Sequence, residues 1–303
     1  MLVGKSKRNS GPKQGSARKE LEEQRKAERE ALAAAPVRPF EGLAFECDLI
    51  ALREFVASAT APLPVTDTSR SFTLASVLPG AVAALVRDSS GDAEAFVALQ
   101  VQVQSNDLSL DVGTSIDWAK TAEPGQSLKA GTADGPRLID VVDGSAPLDI
   151  TVHKDFGWWI PEGTTPDDDV AATIEQANSA ILPSARITAD GVSAAYWVDA
   201  GDKAHLRWVR PEDEDALMHA LARLQSAGHL DLGEGSRFAG SFRTHGLLVP
   251  VFDLDPELHP DEWATGTQEL GRRLDEALAD TTPMTTDERR ARDGLRSRQV
   301  TLR

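Results

Sequence analysis

Between Leu182 and Asp255 the chain alternates short apolar runs with turn-forming residues. Residues 185–188, 192–198 and 205–209 read as strands, and Asp190-Gly191 and Ala200-Gly201-Asp202 between them carry tight-turn chemistry. The period then changes. Leu217, Ala220, Leu221 and Leu224 recur at helical spacing, Pro211 stands at the start, and Glu212, Asp213, Glu214 and Asp215 fill the first turn. Acids there complement the positive end of the helix dipole, so a helix is predicted over 212–225. Two more strands, 238–243 and 247–252, precede a helix that starts at Asp255-Pro256-Glu257 and runs to about Ala279 through Trp263, Leu270, Leu274 and Leu278.

The earlier half gives a similar succession. A short helix over 48–57 places Leu49, Leu52, Phe55 and Val56 on one face, with Asp48 as its cap. A turn-rich break at 60–64 leads to strands at 71–77, 81–86 and 95–103, a helix at 114–121, strands at 137–142 and 148–152, and a helix at 167–181. The expected fold is α+β: two pseudo-repeated α-βββ-α-ββ-α units, 40–181 and 182–284, with antiparallel sheets packed on helices. Gly80-Ala-Val-Ala-Ala-Leu-Val-Arg-Asp88 lies over Gly191-Val-Ser-Ala-Ala-Tyr-Trp-Val-Asp199 at an offset of 111 residues, as a duplication would leave it. Two unrelated α+β stretches of ordinary alanine and glycine content are the alternative. Outside these units, 1–39 reads as a disordered basic arm followed by a charged helix over 16–35, and 285–303 as a mobile basic tail.

The 303 residues are 41% hydrophobic and 26% charged, ordinary for a globular protein, with a net charge of −16. The charge is unevenly spread. Lys5, Lys7, Arg8, Lys13, Arg18 and Lys19 stand in residues 1–19 without one acid, whereas the other 284 residues hold 26 basic against 48 acidic side chains. Such an arm suits a polyanion, RNA or ribosome included, while the body would repel one; a solubilising tail has the same composition. Cys47 is the single cysteine, so an intramolecular disulfide and a cysteine-based zinc site are both excluded. With no apolar run near the roughly 20 residues that span a bilayer, a cytoplasmic protein without membrane partners is expected.

Catalytic chemistry finds little support. Gly233-Glu-Gly235 joins a helix to a strand and lacks the Lys-Ser/Thr of a phosphate loop, and no G-x-S-x-G elbow occurs. Asp253, Asp255, Glu257, His259, Asp261 and Glu262 could crowd a divalent cation, but helix capping accounts for the same acids. Cys47 reads as a buried, inert thiol and His153 as a surface histidine at a strand end. Neither a catalytic residue nor a cofactor or metal site is therefore expected. Trp158 and Trp159 stand out instead. Adjacent residues of a strand face opposite ways, so one of the two can serve as an anchor for a protein partner unless a helix covers it.

The words Arg38-Pro39-Phe40-Glu41-Gly42-Leu43, Glu46-Cys47-Asp48-Leu49-Ile50-Ala51-Leu52-Arg53 and Ala195-Tyr196-Trp197-Val198-Asp199 resemble an uncharacterised actinobacterial family, domain of unknown function 5926. In element order and acidity the chain also resembles the type III secretion (Tir-like) chaperones and the related YbjN-like domains, which bind polypeptides and catalyse nothing. That resemblance implies a chaperone- or adaptor-like protein that offers an acidic body to a protein partner. The basic arm supports the alternative of a factor bound to RNA, DNA or the ribosome.

Overall fold

The computed structural model describes residues 36–89, 92–131, 134–160 and 163–301. Residues 1–37 and 38–303 are separate units, and every helix and strand named below belongs to the second. The arm and the charged helix predicted before Pro36 lie outside the described residues.

The body is built around one short helix, α1 (Glu46–Glu54), of whose nine residues seven are buried. A helix buried on every side needs packing on every side, and α1 has it. Strands β1 (Ala59–Pro62), β2 (Ser71–Val77), β3 (Ala84–Ser89), β4 (Asp92–Gln100), β5 (Ser127–Leu128) and β6 (Thr151–Val152) make one sheet in the order β5-β3-β4-β2-β1-β6. Strands β7 (Ser184–Arg186), β8 (Ala195–Asp199), β9 (Ala204–Trp208), β10 (Ser236–Thr244), β11 (Leu247–Leu254) and β12 (Gln299–Thr301) make another, in the order β12-β10-β11-β9-β8-β7. Ala95, Val97 and Leu99 of the first sheet and Tyr196, Val198 and Val249 of the second join one core with Leu49, Ile50 and Leu52 of α1. That core also takes in α2 (Leu108–Thr121) and α3 (Leu138–Val141). The alternate residues Phe96 and Ala98 face the other way, towards Trp158 and Trp159. On the far face of the second sheet, Trp197, Leu206, Trp208 and Phe252 pack on α5 (Glu214–Ala227), α6 (Ala264–Ala279) and α7 (Thr286–Arg296).

The α+β class is as the sequence predicts, with both sheets packed on helices. Their strand pairing is mixed. β4 inserts between β3 and β2 and runs parallel to β2, because its five successive buried residues, 95–99, need neighbours on both edges and both faces. β12 runs parallel to β10. The two sheets also differ in order: β7, β8 and β9 form an antiparallel meander, whereas β2 and β3 are not neighbours. The 111-residue offset therefore equates strands with different partners. Nor does the predicted boundary at 181/182 separate two bodies, since α1 and the second sheet share one core.

Further differences have local causes. Asp48 is no cap; it lies inside α1, buried, where it accepts from the Tyr196 hydroxyl at 2.7 Å and from Arg186 at 2.9 Å. Burial raises the Asp48 carboxyl above its ordinary range and, with Asp48 beside it, holds the Tyr196 phenol well above its own. Residues 60–64 do not break the chain but begin in strand β1. Residues 137–142, expected as a strand, turn into α3 because the Asp140 side chain closes a capping box on Arg137. Helix α2 starts earlier than predicted, capped by Asp107. Gly113 is required within it, because a Cβ there would lie 2.2 Å from the Pro136 carbonyl oxygen. The last long helix begins at Ala264 after a 3-10 turn at Pro260–Trp263, not at Pro256. The predicted mobile tail is also ordered over its described residues, 285–301: Thr285 caps α7, Leu295 is 1% exposed, and β12 pairs with β10.

Candidate functional site

Trp158 and Trp159 are not in a strand. Asp155 accepts from the Gly157 backbone N–H at 2.7 Å, and residues 157–159 close into a 3-10 turn. The turn keeps both indoles on the same side of the first sheet. Trp158 lies at 25° to Phe96, ring centres 6.5 Å apart, and Trp159 meets Phe96 edge-on at 5.5 Å. The two tryptophans are mutually perpendicular at 5.8 Å. Such edge and offset contacts place positive ring edges near negative faces. Polar groups fix the arrangement: Trp158 Nε1 donates to Ser58 Oγ at 2.9 Å, and Ser58 Oγ donates to the Asp155 carbonyl at 2.9 Å. The Arg87 guanidinium lies 4.4 Å from the Phe96 ring centre and 5.2 Å from that of Trp159, and donates to the Trp159 carbonyl at 3.1 Å.

Beside the tryptophans is an apolar cleft of about 190 Å3, whose walls include Val77, Leu78, Pro79, Phe156, Trp158 and Trp159. Its fourth side is α4 (Asp168–Ser179), through Thr173, Ile174 and Ala177. This helix has no buried residue. Asp167 caps it, and Asn178 Oδ1 accepts from the Phe156 N–H at 2.8 Å, yet its apolar side chains rest over the cleft without filling it. A dry cavity of about 150 Å3 takes a molecule of benzene's size, so this cleft has room for one aromatic or branched aliphatic side chain. Acids flank the cleft walls in sequence: Asp155 precedes Phe156, and Asp167, Asp168, Asp169 and Glu175 stand on and before α4.

His153 stacks on Trp158 at 5.4 Å, and its Nε2 lies 2.8 Å from Thr60 Oγ1. Burial lowers its pKa, so the ring is neutral at pH 7. A histidine depressed on folding contributes stability that is complete above the unfolded value near 6.5 and is lost as the pH falls through the folded one. The His153 ring protons should accordingly titrate with a midpoint below 6.5 in a proton NMR series. A midpoint at or above 6.5 would contradict the stacked, desolvated geometry.

The other residues singled out from sequence have separate fates. Lys5, Lys7, Arg8, Lys13, Arg18 and Lys19 lie outside the described residues. Asp253 pairs with Lys203 at 2.7 Å and Arg237 at 2.8 Å, Asp255 accepts from the Glu257 N–H, and His259 with Glu262 forms a capping box. Among the described residues no group of three or more histidine, cysteine or acidic side chains is placed to hold a metal ion. Cys47 is buried, and burial pushes its thiol up to about 12, far from a reactive thiolate. No described helix is long and apolar enough to cross a membrane. The cleft wall formed by Ile174 and the neighbouring Arg87 carried no sequence signal, because both lie on elements whose packing is set by distant residues.

A family model described as a family of unknown function (DUF5926) matches residues 39–303. No curated protein and no solved structure matches the chain.

Proposed function

The chain belongs to the DUF5926 family of unknown function, and from the tryptophan cleft we propose that it acts by binding, as a chaperone- or adaptor-like cytoplasmic protein that receives an apolar side chain of a protein partner. The observation that carries this reading is helix α4, which covers an apolar cleft without burying a residue of its own. Filling the cleft removes apolar surface of Trp158, Trp159 and Ile174 from water, at about 25 cal/mol per Å2. Tryptophans held by neighbours before binding lose little freedom on it, which is why such residues recur as anchors. The acids that neighbour the wall residues in sequence, Asp155 and those at the start of α4, favour a segment with lysine or arginine beside its apolar anchor.

The test is affinity capture from native lysate with the full chain, a chain beginning at Pro36, and the full chain carrying Ile174→Lys. Ile174 is half-buried on a helix that buries nothing, so the variant should fold. A partner that survives nuclease, higher salt and removal of the arm, and is held at least about tenfold more weakly by I174K, supports the cleft as its seat. If the partner is lost with the arm, with nuclease or with salt, the chain is instead tethered to RNA or the ribosome through Lys5, Lys7, Arg8, Lys13, Arg18 and Lys19.

A further inference from the structure

The arginines of the body follow a rule with two exceptions. Every described arginine but two donates a side-chain hydrogen bond: Arg38 to Glu46, Arg186 to Asp48, Arg210 to Glu212, Arg243 to Glu214, and the rest to carboxylates, side-chain oxygens or backbone carbonyls. Arg207 and Arg298 have neither a hydrogen bond nor an ion pair among the described residues, and both line the same open groove of about 380 Å3. In a body with nearly twice as many acids as bases, two arginines on one groove without an acid of their own are not a matter of composition.

The fold puts them there. On β9, His205 and Arg207 share a face with Tyr196 and Val198 of β8, the face turned to α1. Helix α1 ends at Glu54 and leaves the sheet beyond it uncovered, so Arg207 emerges half-buried with its guanidinium 5.5 Å from the Phe55 ring centre. Across the sheet, Arg207 stands opposite Val251, and Val251 opposite Gly240 at the β10 bulge. A Cβ on Gly240 would lie 2.8 Å from the Arg298 carbonyl oxygen, so the glycine lets the segment before β12 close in and brings Arg298 to the rim. Glu54, which lines the groove, and Asp253, which contacts the groove's His205, are both already engaged. Glu54 bonds His245 at 2.8 Å and sits 3.5 Å from Arg53, and Asp253 holds Lys203 and Arg237 and lies 3.3 Å from His205. Phe55, Phe242 and Val251 give the floor an apolar character.

We infer that this groove is an anion site, which takes a carboxylate or phosphate oxyanion carried on a small apolar or aromatic body. Arg207 supplies the forked donor that such a group accepts in pairs, Arg298 adds charge at the rim, and Phe55 and Phe242 receive the apolar part. Burial without a counter-ion disfavours the charged guanidinium, which an arriving anion would relieve.

Isothermal titration of the full chain with phenyl phosphate, phenylacetate and inorganic phosphate tests this. The two aromatic anions should bind more tightly than inorganic phosphate, and the order between them tells a phosphate from a carboxylate site. Arg207→Gln should weaken binding at least about tenfold and Arg298→Gln less, whereas Arg290→Gln, on the outer face of α7, should leave it unchanged. A second readout separates binding from structure: without ligand, Arg207→Met should melt at or above the wild-type temperature, since it removes an uncompensated charge. Absence of binding by all three anions at millimolar concentration, binding that survives Arg207→Gln, or a lowered melting temperature for Arg207→Met overturns the inference.

Discussion

Replacing Asp48 by alanine should cost about 3–5 kcal/mol of unfolding free energy, the loss expected when one partner of a buried ion pair is removed. The Asp48 carboxylate is 4% exposed and is the acceptor for both the Tyr196 hydroxyl and the Arg186 guanidinium. Without it, a phenol and a cation remain between α1 and the second sheet with nothing to receive their protons. Tyr196→Phe is the milder cut. It deletes one donor and leaves Asp48 on Arg186, and should cost about 1–2 kcal/mol. Urea unfolding of the two variants and of the double variant measures the coupling. The double variant should lose less than the sum, because the two changes delete one shared bond. A cost below about 1 kcal/mol for Asp48→Ala would mean that water replaces the carboxylate and that the helix is not clamped to the sheet there.

Leu295→Ala is the second large effect expected, at about 2–5 kcal/mol, the range for truncating a fully buried leucine. Leu295 packs in the core made by α5, α6 and the outer face of the second sheet. Polar contacts hold the same segment: Arg296 to Asp215 at 2.5 Å, and Gln299 Nε2 to Glu214 at 2.8 Å. A tail that merely trailed from the body would tolerate alanine there at no cost, so thermal melting of L295A separates the two pictures. Removal of residues 285–303 should be harsher, since it uncovers the edge of β10 as well as the face of α5, and should show as loss of soluble protein.

What the sequence conveyed and what it withheld follow from the range of the forces involved. The helices predicted over 167–181 and 212–225 come out within a few residues of those bounds, each started by a carboxylate cap, Asp167 or Asp213, because capping is local. Strands bounded by glycine turns do so too. Residues 137–142, a short apolar run read as a strand, form a helical turn, since a single Asp140 side chain outweighs a pattern of that length. The tail hid its order for the opposite reason: the one leucine of α7 gives no periodicity, and its burial depends on helices far back in the chain. Strand order in the first sheet depends on how deeply β4 is buried, which no neighbour in sequence reveals. The tryptophans were legible as a residue type, but their common side of the sheet follows from the Asp155–Gly157 turn. Arg207 and Arg298 could not be read at all, because lacking a partner is a property of the folded surroundings.

The position of α1 also sets the order in which the protein can be completed. Its partners across the shared core come late: Arg186 follows Asp48 by 138 residues and Tyr196 by 148. A chain emerging from the ribosome therefore carries its central helix with one side unclosed and a carboxylate unanswered until residues 186–196 have been made. Contacts of such sequence separation are slow to form, since loop-closure entropy is lost before they return anything. The early half, lacking half its core, is the species exposed to misassociation. Closure of this core therefore has to wait until the second sheet is long enough to fold back over the helix that preceded it.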